Sequence, residues 1–296
     1  MRLFDNRAIA FSVESMTLRI LAYSGKKIES WYSVPLSPKS TREGLIVTPE
    51  IVGGILSEAI KEYNLPRTGV LCAIPSTGSA TQTLTLPDVK GGNLEEVVRR
   101  EIRRTMPGSQ DVDFVYWQKM PRDSLQKQLR VYALAVPRNN ILGYADACRA
   151  ADVKLRGIEL RPFALLRAID CKEGVIVQGE LDNVEVVIVE KSFPALYRSI
   201  PVKDESPDAE AAGRNLMREL PFTIDYYNRS YPDAQLNPEA TIYLSGELAL
   251  DPKLAMEITE VTGREVVGAE TNIDCPPNFP LPQFLTCVGL MLRNKW

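Results

Sequence analysis

Residues 9–35 read IAFSVESMTLRILAYSGKKIESWYSVP, and residues 175–201 read VIVQGELDNVEVVIVEKSFPALYRSIP, so the two stretches align without a gap. Each has three apolar runs separated by short polar turns, which is typical of a three-stranded antiparallel meander. Each also closes on an aromatic residue, any residue, Ser, a β-branched residue and Pro. The repeat predicts two lobes built on one plan.

A simpler alternative stays open at the level of pattern. Unrelated meanders share alternating apolar residues and polar turns, so the likeness alone does not require a duplication. Three aligned positions are identical: Glu14 and Glu180, Ser33 and Ser199, and Pro35 and Pro201.

Length and composition are those of a soluble protein. The chain has 296 residues, 45% apolar and 25% charged, which favours two lobes or a domain with an insertion. Its net charge of −3 gives no reason to expect nucleic-acid binding. No apolar run approaches the roughly 20 residues of a membrane span, and Asp5, Asn6 and Arg7 stand where a signal peptide would be apolar. We expect a cytoplasmic protein with no direct membrane span.

The chain contains no histidine and five scattered cysteines. The missing histidine excludes Ser-His-Asp and Cys-His nucleophile pairs and the commonest zinc ligand. The cysteines have no C-x-x-C spacing and are predicted to be reduced thiols.

Helix and strand patterns follow each meander. After the first, a helix over 48–63 is predicted to bury Ile51, Ile55, Ala59 and Ile60, and a buried strand follows at 69–75. Residues 81–136 are predicted to form an inserted subdomain of three strands and a helix over 93–106. After the second meander, helices and short strands alternate to the end of the chain, which predicts a second sheet with helices behind it.

The helix of the inserted subdomain carries a cluster of basic residues. Arg99, Arg100, Arg103 and Arg104 form this cluster, and glutamates lie one turn before two of them. It has two interpretations, a docking site for an acidic peptide or a solvated helix face.

With this order of elements in view, the chain resembles the actin-like ATPase superfamily. More narrowly, it is similar to the PilM-like proteins of type IV pilus assembly, relatives of the cell-division protein FtsA. The likeness covers nearly the whole chain and is carried by residues 9–23, 94–106 with 112–116, 216–227, 242–246 and 284–293.

The resemblance implies an α/β fold of two RNase-H-like (actin-like) lobes. Their mixed sheets are backed by helices, a small α+β subdomain is inserted in lobe one, and the fourth subdomain is shortened. The implied boundaries are 1–80 with 155–172 for the first lobe, 81–154 for the insertion and 173–296 for the second lobe.

The nucleotide loops of that superfamily are altered in this chain. The first hairpin, L-D-I-G-S-S-S-V-K in relatives, aligns with FSVESMTLR at 11–19, so that Ser12 replaces the metal-directing Asp. The second hairpin has VQGE at 177–180, and the adenine loop has SGEL at 245–248 in place of S-G-G-G. Each loop therefore gains a glutamate. The residues implied to bind nucleotide, if any is bound, are Ser12, Glu14, Ser15, Thr17, Gln178, Gly179, Asp182, Asn183, Gly246 and Glu247.

These changes disfavour ATP and Mg²⁺. A carboxylate ~4 Å from a phosphate charge repels it by ~1 kcal/mol in water and by ~4 kcal/mol at an effective dielectric near 20. Relatives also form one wall of the adenine pocket with a subdomain for which this chain has only residues 201–215. We therefore predict a pseudo-ATPase with no catalytic residue, bound metal or cofactor.

The leading functional hypothesis is a cytoplasmic scaffold recruited to the inner face of the cytoplasmic membrane. By resemblance, it docks the cytoplasmic tail of an inner-membrane pilus assembly protein between the first lobe and the insertion. Contact with the pilus motor ATPase and self-association are further expectations.

Two alternatives stay open. The first is an active ATPase or kinase that binds ATP–Mg²⁺ in the interlobe cleft with Asp182 near the metal, although Asp182 and Asn183 also suit a plain β-turn. The second is the cytoplasmic domain of a type II secretion platform.

Overall fold

The computed structural model describes residues 7–37, 39–87, 94–105, 114–120, 128–203 and 208–293. The strands are β1 (Arg7–Glu14), β2 (Thr17–Ser24), β3 (Lys27–Pro35), β4 (Thr41–Arg42), β5 (Leu45–Ile46), β6 (Thr68–Ile74), β7 (Ala80–Leu86), β8 (Phe114–Lys119), β9 (Leu129–Val136), β10 (Lys154–Leu160), β11 (Gly174–Gly179), β12 (Asn183–Glu190), β13 (Phe193–Pro201), β14 (Ile242–Gly246) and β15 (Val266–Gly268). The α-helices are α1 (Pro49–Glu62), α2 (Leu94–Thr105), α3 (Arg138–Ala150), α4 (Arg161–Ile169), α5 (Ala209–Ser230), α6 (Pro252–Thr262) and α7 (Leu281–Met291).

The described residues divide into two compact units, one within 1–77 and 142–296 and the other within 78–141. The predicted insertion, 81–154, ends further along the chain than the second unit, because most of α3 belongs to the first unit. The predicted ends of the α2 helix, at 93 and 106, lie outside the described residues.

Two five-stranded sheets of the larger unit share one topology. The first has the order β10-β6-β1-β2-β3, and the second has the order β15-β14-β11-β12-β13. In each, the meander is antiparallel, and the strands on its other side run parallel to the first strand of the meander. This is the predicted arrangement of two lobes with mixed sheets.

The repeat extends to backbone detail. A shift of 166 positions maps the bounds of β2 and β3 onto those of β12 and β13. The ladder between β2 and β3 changes register between Ala22 and Tyr23, and the ladder between β12 and β13 does so between Ile188 and Val189. These positions align in the repeat, so both meanders carry the same β-bulge. The prediction of two lobes on one plan is confirmed.

Helices α4 and α7 pack against each other and link the two sheets. Helix α7 contacts β1, β2 and β6 of the first lobe and β14 of the second. At its crossing with α4, a Cβ on Gly289 would lie 1.9 Å from the carbonyl oxygen of Ala164. Only glycine permits this approach. None of the described helices is long and apolar enough to cross a membrane.

The buried face of α1 differs from the prediction. Ala59 and Ile60 are buried as expected, but Ile55 is half-buried and Ile51 is 42% exposed, so the prediction was wrong for these two isoleucines. The reason is Gly53, where a Cβ would lie 2.6 Å from the carbonyl oxygen of Ala147 in α3. Because α1 approaches α3 through this glycine, the helix turns Ile51 outward. The buried residues of α1 are Val52, Gly53, Leu56, Ala59 and Ile60.

The smaller unit is an antiparallel sheet of order β7-β9-β8 with α2 packed on one face. Val98 and Ile102 of α2 are fully buried against this sheet. On the outer side of α2, Arg99 and Arg104 pair with glutamates of their own helix at 2.9 and 2.5 Å. These pairs are those of a solvated helix face, one of the two interpretations of the basic cluster.

Candidate functional site

The turns of the two equivalent hairpins contact each other. Ser15, in the β1–β2 turn, donates a hydrogen bond from Oγ to Oδ1 of Asp182 in the β11–β12 turn at 2.7 Å. The Oγ atoms of Thr77 and Ser199 lie 2.8 Å apart and form a second bond between the lobes. The two lobes therefore meet directly at the loops that were predicted to bind phosphate.

Arg19, in the middle of β2, binds residues of the second lobe. Its Nη1 and Nη2 donate to the two carboxylate oxygens of Glu180 at 2.8 and 3.0 Å. Nη1 also donates to the carbonyl oxygen of Gln283 at 2.8 Å, and Nη2 lies 3.3 Å from Oε2 of Glu247. The Arg19 and Glu180 side chains are 4% and 3% exposed. This is a bidentate, buried ion pair, the strong class of charged hydrogen bond.

Arg161, the first residue of α4, forms a second buried cluster. Its Nη1 donates to Oε2 of Glu185 in the second lobe at 3.1 Å, and its Nη2 lies 2.8 Å from Oε2 of Glu14. The Glu14 contact is an ion pair without hydrogen-bond alignment, and neither Glu14 oxygen has a hydrogen-bond partner among the described residues. The other oxygen of Glu185 accepts from the backbone N–H of Ser76 at 2.9 Å.

The repeat relates these two clusters, which we call the cross-lobe network. Positions 14 and 180 are equivalent, and so are positions 19 and 185. Arg19 binds Glu180 directly, whereas its counterpart Glu185 is joined to Glu14 through Arg161. An arginine of the first lobe therefore binds a glutamate of the second lobe in each of the two clusters. The network comprises Glu14, Arg19, Arg161, Glu180, Glu185 and Glu247.

Burial controls ionisation in the network. Desolvation raises the pKa of Glu180 to about 7, because the attraction of Arg19 only partly offsets the loss of water. Desolvation alone would lower the pKa of Arg19, but Glu180, Glu14 and Glu247 outweigh it and keep that pKa above its ordinary value. Arg161 behaves likewise beside Glu14 and Glu185. Both arginines are therefore charged at every physiological pH.

Several predicted nucleotide residues support the network from within the second lobe. Gln178 donates from Nε2 to Oε1 of Glu180 at 2.7 Å and accepts from Oγ of Ser245 at 2.7 Å. Gly246 has φ +85°, and a Cβ there would lie 2.4 Å from the carbonyl oxygen of Gly179 and 2.8 Å from Oε1 of Glu180. These glycines let the β14 end approach the second hairpin closely.

The remaining predicted residues are placed as follows. Ser12 is buried with Oγ 3.6 Å from Sγ of Cys287, and Thr17 begins β2. The second turn has Leu181 and Asp182 at its centre and is closed by a 3.0 Å bond from the Glu180 N–H to the Asn183 carbonyl. Asn183 is thus the first residue of β12, so the two-residue turn predicted at Asp182 and Asn183 lies one residue earlier in the chain. Within the described ranges, no group of three or more acidic or thiol side chains could hold a metal ion.

Sequence reasoning missed the partners of the three glutamates. Arg161 and its second partner Glu185 were not singled out, nor was Gln283, which donates from Nε2 to Oε2 of Glu247 at 2.8 Å, and Arg19 was aligned without a role. A usable signal was present, since Arg19 and Glu185 interrupt apolar strands at equivalent repeat positions with opposite charge. A charge in the middle of a buried strand requires a partner, because an isolated buried charge is costly.

Comparison with solved structures identifies the fold. A structure described as the PilM–PilN type IV pilus biogenesis complex matches with TM-score 0.75 and 20% identity, over 96% of this chain and 97% of that chain. The ethanolamine utilization protein EutJ from Carboxydothermus hydrogenoformans matches with TM-score 0.56 and 14% identity, over 99% and 91%. The cytoplasmic domain of EpsL, an inner-membrane component of the Vibrio cholerae type II secretion system, matches with TM-score 0.54 and 12% identity, over 98% and 96%.

The fold is therefore that of the actin-like ATPases, as the resemblance implied. No family model matches the sequence, and a search of curated proteins finds no match.

Proposed function

We propose that this chain is a non-catalytic scaffold of type IV pilus assembly that docks the cytoplasmic tail of an inner-membrane assembly protein. It would act in the cytoplasm at the inner face of the membrane. Support comes from the match, over nearly the whole chain, to a protein solved with its pilus partner. The observation on which the non-catalytic part rests is the cross-lobe network.

The network is a poor host for ATP–Mg²⁺. Glu14 and Glu180 are buried at the two positions where relatives approach phosphate through small residues. Each of these side chains, when ionised, would repel a phosphate charge ~4 Å away by ~4 kcal/mol at an effective dielectric near 20. A triphosphate would also have to displace Arg19 and Arg161 from their carboxylates. The residues present therefore do not fit the nucleotide, and nucleotide binding is lost under this proposal.

The network also supplies what a bridging ligand would otherwise provide. Charged side chains of the first lobe bind those of the second directly, with N–O distances of 2.8 to 3.3 Å. Under this proposal, these direct bonds hold the two lobes together where a bound nucleotide would otherwise bridge them. Such ligand-independent contacts suit a docking role.

Two measurements test this function. We expect the chain to bind at least one synthetic peptide among the cytoplasmic tails of single-span inner-membrane proteins encoded beside it, measured by fluorescence anisotropy. If no such tail binds, the docking role is wrong.

We also expect ATP–Mg²⁺ to leave the thermal unfolding temperature unchanged. A ligand at 100 times its Kd would stabilise the folded state by ~2.7 kcal/mol, which is readily measured. A concentration-dependent rise would restore the active ATPase as the better interpretation.

A secretion platform is the second candidate, favoured by the similarity to the EpsL cytoplasmic domain. The same peptide panel separates the two. Binding confined to tails encoded among pilus motor and minor-pilin genes supports the first candidate, and binding confined to tails encoded among secretion genes supports the second.

A further inference from the structure

The two lobes of the larger unit carry net charges of opposite sign. Residues 1–77 and 142–172 hold 15 Lys and Arg against 11 Asp and Glu, whereas residues 173–296 hold 10 against 20. The net charge of the whole chain, −3, conceals this difference. A charge asymmetry of this kind indicates a charged partner, and the position of the exposed cations indicates which surface meets it.

The exposed cations of the first lobe are concentrated at one end of its sheet. Strands β1, β6 and β10 run parallel and begin at this end, and the β2–β3 turn lies there too because β2 is antiparallel to β1. Helix α1 also ends here, with five residues between it and β6. Neighbouring strands lie ~4.8 Å apart, so the row from β10 to β3 spans roughly 19 Å. The exposed cations of this end, which we call the basic end, are Lys26, Lys27, Lys61, Lys154 and Arg156.

None of these five cations pairs with a carboxylate in the described part of the chain. The exposed Arg214, by contrast, pairs with Glu210 of its own helix. Two further cations at this end are already bound, Arg7 to Glu29 at 2.7 Å and Arg67 to the backbone carbonyl oxygen at position 151 at 2.7 Å. The carboxylates at this end are fewer than the cations: they are Glu29, Glu62, Asp152 and, across a surface groove from the β2–β3 turn, Asp274. The basic end therefore has an excess of exposed positive charge.

The repeat shows that the fold does not require these cations. A shift of 166 positions maps Arg7 onto Glu173 at the same end of the second sheet. Exposed carboxylates also precede the other two parallel strands there, Glu239 before β14 and Glu265 before β15. The same strand ends thus carry opposite charge in the two lobes. Because one plan folds with either sign, packing of the sheet does not account for the charge of the basic end.

We propose that the basic end binds the anionic lipid headgroups of the membrane at whose inner face the proposed function places this chain. The inference rests on that function for its location and adds a direct lipid contact to the docked tail. The cytoplasmic leaflet has a negative surface potential that attracts clustered Lys and Arg. The same potential repels the acidic second lobe. Lipid therefore selects the first lobe, which is the lobe at which the resemblance places the tail.

An acidic protein segment is the competing partner for a basic surface. Recognition of single carboxylates favours arginine, whose planar guanidinium binds them with two parallel hydrogen bonds. The basic end consists instead of four lysines and one arginine, spread over a turn, a helix end and the start of a strand. Flexible point charges in such a row suit a diffuse layer of lipid phosphates better than a single peptide.

The test is co-sedimentation of the full chain with vesicles of phosphatidylglycerol and phosphatidylcholine in a one-to-three ratio. We expect binding that is lost at high salt and is absent from pure phosphatidylcholine. Lys26→Glu with Lys27→Glu should weaken binding at least about tenfold, since each cation near an anionic surface contributes roughly fivefold. The matched control, Lys191→Glu with Lys253→Glu, makes the same change in net charge on exposed lysines of the second lobe and should leave binding unchanged.

Thermal unfolding of every variant separates lost binding from lost folding. Lys26→Gln with Lys27→Gln, which removes charge without adding repulsion at the turn, should give an intermediate loss of binding. If the unaltered chain does not bind the anionic vesicles, or if the variants of both lobes lose binding equally, the lipid contact is wrong. Binding to soluble polyglutamate without binding to vesicles would also overturn it, in favour of an acidic protein partner.

The peptide panel keeps this inference separate from the docking function. The charge-reversed basic end should bind a tail as tightly as the unaltered chain does. A tail that binds while vesicles do not leaves the docking function intact and removes the lipid contact. Vesicle binding by a chain that binds no tail removes the docking function and leaves the lipid contact.

Discussion

Replacing Arg19 by methionine tests the energetic role of the cross-lobe network. The substitution keeps the aliphatic stem but leaves Glu180 buried, at 3% exposure, without its 2.8 and 3.0 Å bonds. Breaking one partner of a buried ion pair typically costs ~3–5 kcal/mol, because the remaining charge is uncompensated. We expect a loss in this range at pH 8. The loss should shrink at pH 6, where the Glu180 carboxyl is protonated and needs no cation.

The assay is urea unfolding followed by far-UV circular dichroism, applied to a double-mutant cycle. Glu180→Gln removes the charge that Arg19→Met strands, so the double variant should be more stable than Arg19→Met alone. Arg214→Met, which breaks a pair whose side chains are 65% and 81% exposed, is the control and should have almost no effect. The reasoning is refuted if Arg19→Met costs less than ~1 kcal/mol at both pH values, as an exposed pair would, or if Glu180→Gln gives no rescue.

Three further predictions concern stability. Burial raises the pKa of Glu180 from 4.5 to about 7, so between these pH values the folded state keeps a proton that the unfolded state has lost. The free energy of unfolding should therefore fall by up to ~3 kcal/mol as pH rises from 4.5 to 7. In urea unfolding, Glu180→Gln should flatten this dependence on pH, and an unaltered protein that becomes more stable over that range would contradict the prediction. In calorimetry, Gly54→Ala should stabilise the protein by ~0.5–1 kcal/mol, because its Cβ would point into open space, and Gly53→Ala should destabilise it by ~1–3 kcal/mol, because its Cβ would collide with α3. Equal effects of the two substitutions would show that α1 does not contact α3 through Gly53. Gly289→Ala should cost ~3 kcal/mol or more, with a normal melting temperature as the contrary outcome.

The fold was predictable because its signals are local and repeated. The repeat located both meanders, and the helix predicted over 48–63 contains α1. The face of α1 was not predictable in the same way. The apolar side chains of that helix cover roughly half of its circumference, an arc wider than its buried face, so periodicity did not fix which part of the arc is buried. A close approach between Gly53 and α3, which lies far along the chain, decided it.

The location of the candidate site could be predicted from the sequence, but the residues that pair with its glutamates could not. The glutamates at positions 14, 180 and 247 were recognised as foreign to phosphate loops, and the structure brings all three into one network. Their partners escaped notice because pairing in three dimensions depends on how two sheets face each other. Glu14 and Arg161, for example, are far apart in the chain, and no periodic pattern relates them.

The shared β-bulge bears on how the two halves should be compared. Across 27 aligned positions the two meanders share three identical residues. Their strand pairings nevertheless shift register at the same position, which leaves Glu29 and Ala195 without a pairing partner in the adjacent strand. The two meanders therefore agree more closely in hydrogen-bond register than in side-chain identity. In other strand-rich chains, structural repeats of this kind can accordingly be found by superposing β-bulges, even where the two sequences no longer align.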